Sequence, residues 1–221
     1  MSGNVIQLVV LGAVALFLIF KLKSTLGTRE GFEKPAVPKT PDEAQPVQRR
    51  AFDVIEGGPD ADITDHVPDG SDAAEALTAM KRAEPSFSVG EFMRGARGAY
   101  EMILDAFHKG DLDSVAPFIA PEVMESFREV VRQREAQGLT LEASVIGIRE
   151  VVLNGAEYHR DTQEGEVTVR FVSEQTSSVK NAEGEIVEGD AKAVRRQRDV
   201  WTFGRKMGVN DPNWQLVATG E

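Results

Sequence analysis

Residues 121–153, PEVMESFREVVRQREAQGLTLEASVIGIREVVL, change period partway through, and that change decides the fold. In the first half the apolar positions Val123, Met124, Phe127, Val130 and Val131 fall on one helical face, and Pro121 stands where a first helical residue belongs. Gly138 ends that pattern. After it the β-branched residues Thr140, Val145, Ile146, Ile148, Val151 and Val152 predict a strand over residues 139–153.

Working outward, the same order holds. On the N-terminal side Ser88 and Glu91 make a capping-box pattern. Phe92, Ala96, Ala99, Tyr100, Ile103, Leu104 and Phe107 then share a helical face, with Gly110 as the stop and one short helical turn over residues 111–118. On the C-terminal side Val167, Val169 and Phe171 alternate with Thr168 and Arg170, residues 181–184 (Asn-Ala-Glu-Gly) are turn chemistry, and strands follow over residues 194–203 and 213–219. Helices first and strands after predict an α+β domain over residues 87–221, with two to three N-terminal helices packed on one face of a four-stranded antiparallel sheet.

The chain ahead of that domain reads differently. Residues 5–20 are apolar except for Gln7, Leu22 extends the run past Lys21, and no polar face interrupts it. At ~1.5 Å per residue the run spans roughly 27 Å, against a hydrocarbon core of ~30 Å. A single transmembrane helix is therefore expected at 4–23, with Lys21 and Lys23 snorkelling at its flank. The basic residues follow the run, opposite to a secretory signal, and put the C-terminal domain on the cytoplasmic side. Residues 24–86 are rich in Pro, Asp and Glu and read as a flexible linker. Within it Ser71, Ala74, Leu77 and Met80 mark a short helix at 71–84, and the island Arg49-Arg50-Ala51-Phe52-Asp53-Val54-Ile55 is a candidate linear motif or a chance cluster.

Composition removes several function classes. The 221 residues carry a formal net charge of -11, which opposes nucleic-acid binding. With no cysteine there is no thiolate chemistry, disulfide or Cys-type zinc site. His66, His108 and His159 are not at metal-ligand spacing, and neither a phosphate-binding Gly loop nor a Gly-x-Ser-x-Gly elbow occurs, so no metal or cofactor is called for.

Val200-Trp201-Thr202-Phe203, followed by Asp211-Pro212-Asn213-Trp214-Gln215-Leu216-Val217-Ala218-Thr219, resembles the C-terminal signature of the mitochondrial inner-membrane import translocase subunit 44. It is still more similar to that of its bacterial relatives, the TimA adaptor family. The apolar run followed by Leu26-Gly27-Thr28-Arg29-Glu30-Gly31-Phe32-Glu33 is similar to the start of the same family. The resemblance implies a nuclear-transport-factor-like cone, with a curved sheet around an apolar pocket. It also implies adaptor or scaffold work at the bacterial inner membrane. The expected partners are membrane lipid, membrane or secretory proteins, and translocation machinery. The mitochondrial member recruits its chaperone through a long N-terminal region, where this sequence has the apolar run, so adaptor or assembly work carries over better than chaperone recruitment.

In such a pocket the candidate lining is Tyr100, Phe118, Phe127, Phe171, Trp201, Phe203 and Trp214, each of which is otherwise a core aromatic. Arg195, Arg196 and Arg198, beside Lys192, are candidates for contact with lipid headgroups or an acidic partner. The alternative is a charged strand guarded against edge pairing. The expected function is binding rather than catalysis. The competing reading, a small-molecule enzyme of the cone fold, requires an Asp or Tyr in the pocket, and Tyr100 and Asp105 are its candidates.

Overall fold

A computed structural model describes residues 58–209 and 211–220. The membrane helix expected at 4–23, its flanking Lys21 and Lys23, and the first part of the linker lie outside the described residues. Among the described residues no helix is long and apolar enough to cross a membrane.

In chain order the elements are α1 (Ala61–Thr64), α2 (Asp72–Ala83), α3 (Val89–Lys109), a 3-10 helix (Leu112–Phe118), α4 (Pro121–Ala136), β1 (Thr140–His159), β2 (Glu164–Lys180), β3 (Ile186–Lys206) and β4 (Gln215–Gly220). The four strands lie in sequence order and every neighbouring pair is antiparallel. Helices therefore pack against one antiparallel sheet in an α+β arrangement.

Local chemistry explains the helix boundaries. Ser71 Oγ accepts from the Ala74 amide at 3.2 Å, while Asp72 and Glu75 in the first turn and Lys81 and Arg82 in the last complement the α2 dipole. Ser88 Oγ accepts from the Glu91 amide at 3.3 Å, and Gly110, at φ 78°, ends α3 in the left-handed conformation that a side chain would disfavour. Pro121 opens α4.

Residues 61–83, inside the stretch read as a linker with a short helix at 71–84, form α1 and α2. Ile63, Val67, Leu77 and Met80 are all buried, so α1 and α2 belong to the core. One carboxylate holds them there. Asp62 accepts from the amides of Val89 at 2.8 Å and Gly90 at 2.9 Å, and from Ser88 Oγ at 3.1 Å, which caps α3 from a distance. Lys81 Nζ lies 2.8 Å from the same carboxylate and 2.6 Å from Asp60. The turn of α1, the end of α2 and the start of α3 thus meet at Asp62.

The sheet has two halves. In the first, Val167, Val169 and Phe171 of β2, Trp201 and Phe203 of β3, and Leu216 of β4 are buried with Phe92, Ala96, Tyr100 and Ile103 of α3. The register places Trp201 opposite Val169 and Phe203 opposite Val167, so these rings share the helix-covered face. In the second half, residues 140–147, 173–180 and 186–198 continue the same three strands as a ribbon. Bulges at Val145/Gly147, Ile148/Glu150 and Leu153/Gly155 bend β1 along its length. Because β4 pairs only with residues 200–204, the rest of β3 has β2 on one side and an open edge on the other. The sequence reading of β3 as residues 194–203 is thus too short at both ends.

Candidate functional site

A cavity of about 470 Å³ opens between the first half of α3, the α2–α3 connection, the 3-10 helix and the β3–β4 loop. Phe87, Phe92, Phe118, Phe203 and Trp214 form its aromatic walls. Trp214 stands 4.7 Å from Phe92 and 5.7 Å from Phe87 between ring centroids, and Phe92 is 6.0 Å from Phe203. Loop chemistry brings Trp214 here. The Asn213 amide donates to Asp211 Oδ1 at 3.0 Å, a turn that returns the chain towards β4. Phe118 is set by the bridge between Ile119 and Leu216 and by the Ala120 amide, which donates to the Leu216 carbonyl at 3.0 Å.

The polar side of the cavity is an ion pair. Arg205 Nη2 lies 2.6 Å from Glu84 Oε1, with side-chain exposures of only 7% and 17%. The Arg205 guanidinium also sits over the Trp214 ring at 5.2 Å. Glu84 accepts further from the Gly208 amide at 3.0 Å. Burial alone raises the Glu84 carboxyl, but the Gly208 amide and the Arg205 guanidinium outweigh it and hold the group below the usual carboxylate range. Arg205 Nε is buried without a hydrogen-bond partner among the described residues.

Three of the seven predicted pocket residues, Phe118, Phe203 and Trp214, line the cavity. The other four lie elsewhere. Tyr100 stacks on Phe171 at 4.3 Å and 11°, with Trp201 at 4.7 Å, and the three fill the core. Phe127 packs on Phe107 at 5.0 Å, against α4. Sequence reasoning missed Phe87, Phe92, Glu84 and Arg205. Arg205 was within reach, because strand alternation puts it on the face of Phe203.

The Tyr100 hydroxyl is the centre of a buried polar group. It donates to Asp199 Oδ2 at 2.5 Å and lies 2.9 Å from Ser173 Oγ, and Gln175 Nε2 donates to it at 3.3 Å. Burial first, and Asp199 second, push the phenol well above its usual range, so it stays a neutral donor rather than a base. Asp105 is paired with Lys109 at 2.7 Å on an exposed helix face. Neither residue lines this cavity; Asp105 borders a separate one of about 440 Å³ with Glu101 and His108. Among the described residues no cluster of three or more His, Asp or Glu has the geometry of a metal site.

The basic run is split by the sheet. Arg195 lies opposite Gln175 on the helix-bearing face, whereas Arg196 and Arg198 lie opposite Glu174 and Val172 on the other. All three are exposed, and none forms an ion pair among the described residues. Glu174, opposite Arg196 in register, is engaged by Arg149 at 2.7 Å, and Arg196 acts on it through space.

The Tim44-like domain profile matches residues 73–221, from α2 onward. The human (Homo sapiens) mitochondrial import inner membrane translocase subunit TIM44 is 25% identical over 151 residues, which cover 66% of this chain and 33% of that protein. The Arabidopsis thaliana subunit TIM44-1 is 20% identical over 133 residues, 60% of this chain and 28% of that protein. The chain spans about a third of the length of the curated relatives it matches. A crystal structure of the intermembrane space region of the chloroplast protein ARC6 aligns at TM-score 0.40 and 10% identity over 58% of this chain and 94% of that one, a likeness too loose to carry an argument.

Proposed function

The chain belongs to the Tim44-like domain family, and from that premise we propose that it is a membrane-anchored adaptor in protein translocation or membrane-protein assembly. The observation that carries this reading is the cavity between α3 and Trp214. Its aromatic walls suit an apolar stretch of a protein segment or a lipid acyl chain, and the Arg205–Glu84 pair forms one polar side. The apolar run at residues 5–20 holds the chain at the bacterial inner membrane, with Lys21 and Lys23 at the cytoplasmic boundary. The Pro-rich acidic stretch that follows serves as a tether, and the bulged sheet supplies the curvature of a nuclear-transport-factor-like cone.

The test places a photo-crosslinking amino acid at Trp214 or Met102 of the full chain in living cells. Membrane or secretory proteins, or membrane lipid, should be captured. Gly95 lines the cavity, and a Cβ there meets nothing within 4 Å, so Gly95→Phe should fill the cavity without strain and abolish capture. Capture no greater than that of a chain lacking residues 1–23, or unchanged by Gly95→Phe, sinks the proposal.

A further inference from the structure

The open half of β3 combines two features that the cavity leaves unexplained. The first is the edge itself. Among the described residues, the paired positions of 186–198 have β2 on one side and no strand on the other, so alternate residues turn N–H and C=O groups outward, a ready template for another strand. A wide bulge at residues 191–194, where the partner of β2 jumps from Arg195 to Asp190 across a single residue, leaves residues 195–199 as the regular part of that edge.

The second feature is the placement of charge. Three arginines stand within four residues of a chain whose net charge is -11. They divide between the two faces of the sheet, Arg195 on one and Arg196 and Arg198 on the other. A membrane surface would engage one face and leave the other charge idle. An extended peptide does the opposite, since successive side chains of an added strand project to both faces. Consecutive acidic residues on such a strand meet Arg195 on one side of the sheet and Arg196 and Arg198 on the other. Asp199, at the end of the same edge, is on the helix-covered face and accepts from the Tyr100 hydroxyl. A second copy of this strand is disfavoured, because arginines would face arginines.

We propose that the β3 edge at residues 195–199 takes an extended acidic segment of a partner protein as an added strand. This surface is separate from the cavity and has its own specificity: main-chain pairing supplies the geometry and the arginines select acid over base.

The experiment uses the full chain in detergent micelles and a dye-labelled decapeptide of repeating Glu-Glu-Val, followed by fluorescence anisotropy. The peptide should bind, and Arg195→Glu, Arg196→Glu and Arg198→Glu combined should weaken it by about tenfold or more. A peptide of the same charge, N-methylated at alternate amides, cannot pair along an edge and should lose binding to a similar degree. Gly95→Phe should leave binding unchanged, which separates this surface from the cavity. Equal binding of the N-methylated peptide would overturn the added strand in favour of plain charge attraction. If the triple variant still binds the peptide but no longer sediments with phosphatidylglycerol vesicles, the arginines face lipid and the proposal is wrong.

Discussion

On β3, Trp201 and Phe203 are exposed by 3% and 1%, while earlier on the same strand Val187 and Val194 are each exposed by 54%. The strand is one element between them, although Val187 and Val194 fall at breaks in its pairing with β2. What differs is the layer above: α3 covers the first pair, and the ribbon carries no comparable cover. Apolar character therefore does not decide burial on this sheet; helix cover does. The ribbon is held by main-chain pairing and by exposed ion pairs such as Lys180 with Glu142 and Arg149 with Glu174, both at 2.7 Å. Exposed pairs of this kind are screened by solvent and contribute little to stability. Cooperative stability should accordingly concentrate under α3 and fall off along the ribbon.

Four substitutions probe that contrast, in order of expected effect. Phe171→Ala removes a fully buried ring stacked on Tyr100 and should cost about 3–5 kcal/mol in urea unfolding. A cost below about 1 kcal/mol would mean that the core is not where the helix cover places it. Arg205→Leu leaves Glu84 without its cation and should cost about 3 kcal/mol, with part of the loss recovered when Glu84→Gln is added. Additive single costs in that double-mutant cycle would deny the pair its role.

Asp62→Asn should cost about 1–2 kcal/mol through the lost cap and ion pair. It also carries a pH signature. Burial alone raises the Asp62 carboxyl, but Lys81 and the Gly90 and Val89 amides outweigh it and hold the group well below its usual range. The folded chain therefore binds that proton less readily than the unfolded one. The stabilisation is complete above the ordinary carboxylate value of about 4 and is lost as pH falls below it. Urea titrations across that acid limb should give a flatter slope for Asp62→Asn than for the parent. Last, Val194→Ser on the ribbon should change stability by no more than about 0.5 kcal/mol. A larger loss would show that the ribbon shares the core's cooperativity.

Those differences also mark what could be read from the sequence. α3 was legible because its cap, apolar face and glycine stop are all local. α2 was legible from Ser71, Ala74, Leu77 and Met80, but α1 and the burial of both helices were hidden in a stretch dense in Pro and Asp, since Ile63, Leu77 and Met80 find their burial only once Asp62 has reached the start of α3. The ribbon blurred the strand pattern for the opposite reason. With both faces exposed, residues 186–198 carry charge without alternation, and period two has nothing to select it. In the cavity, Trp214 and Phe118 were named from the sequence, but Phe87 and Glu84 lie before the boundary set by periodicity or beside it. Only the tertiary meeting of the α2–α3 connection with β3 brings them to Arg205.

The two tryptophans sit in these two settings. Trp201 is 3% exposed, 4.7 Å from Tyr100, whereas Trp214 is partly buried on the cavity wall beneath a guanidinium. The molecule thus carries its own pair of optical reporters. Emission from Trp201 should be blue and should respond to unfolding. Emission from Trp214 should respond to whatever enters the cavity, while the fold around Trp201 stays silent.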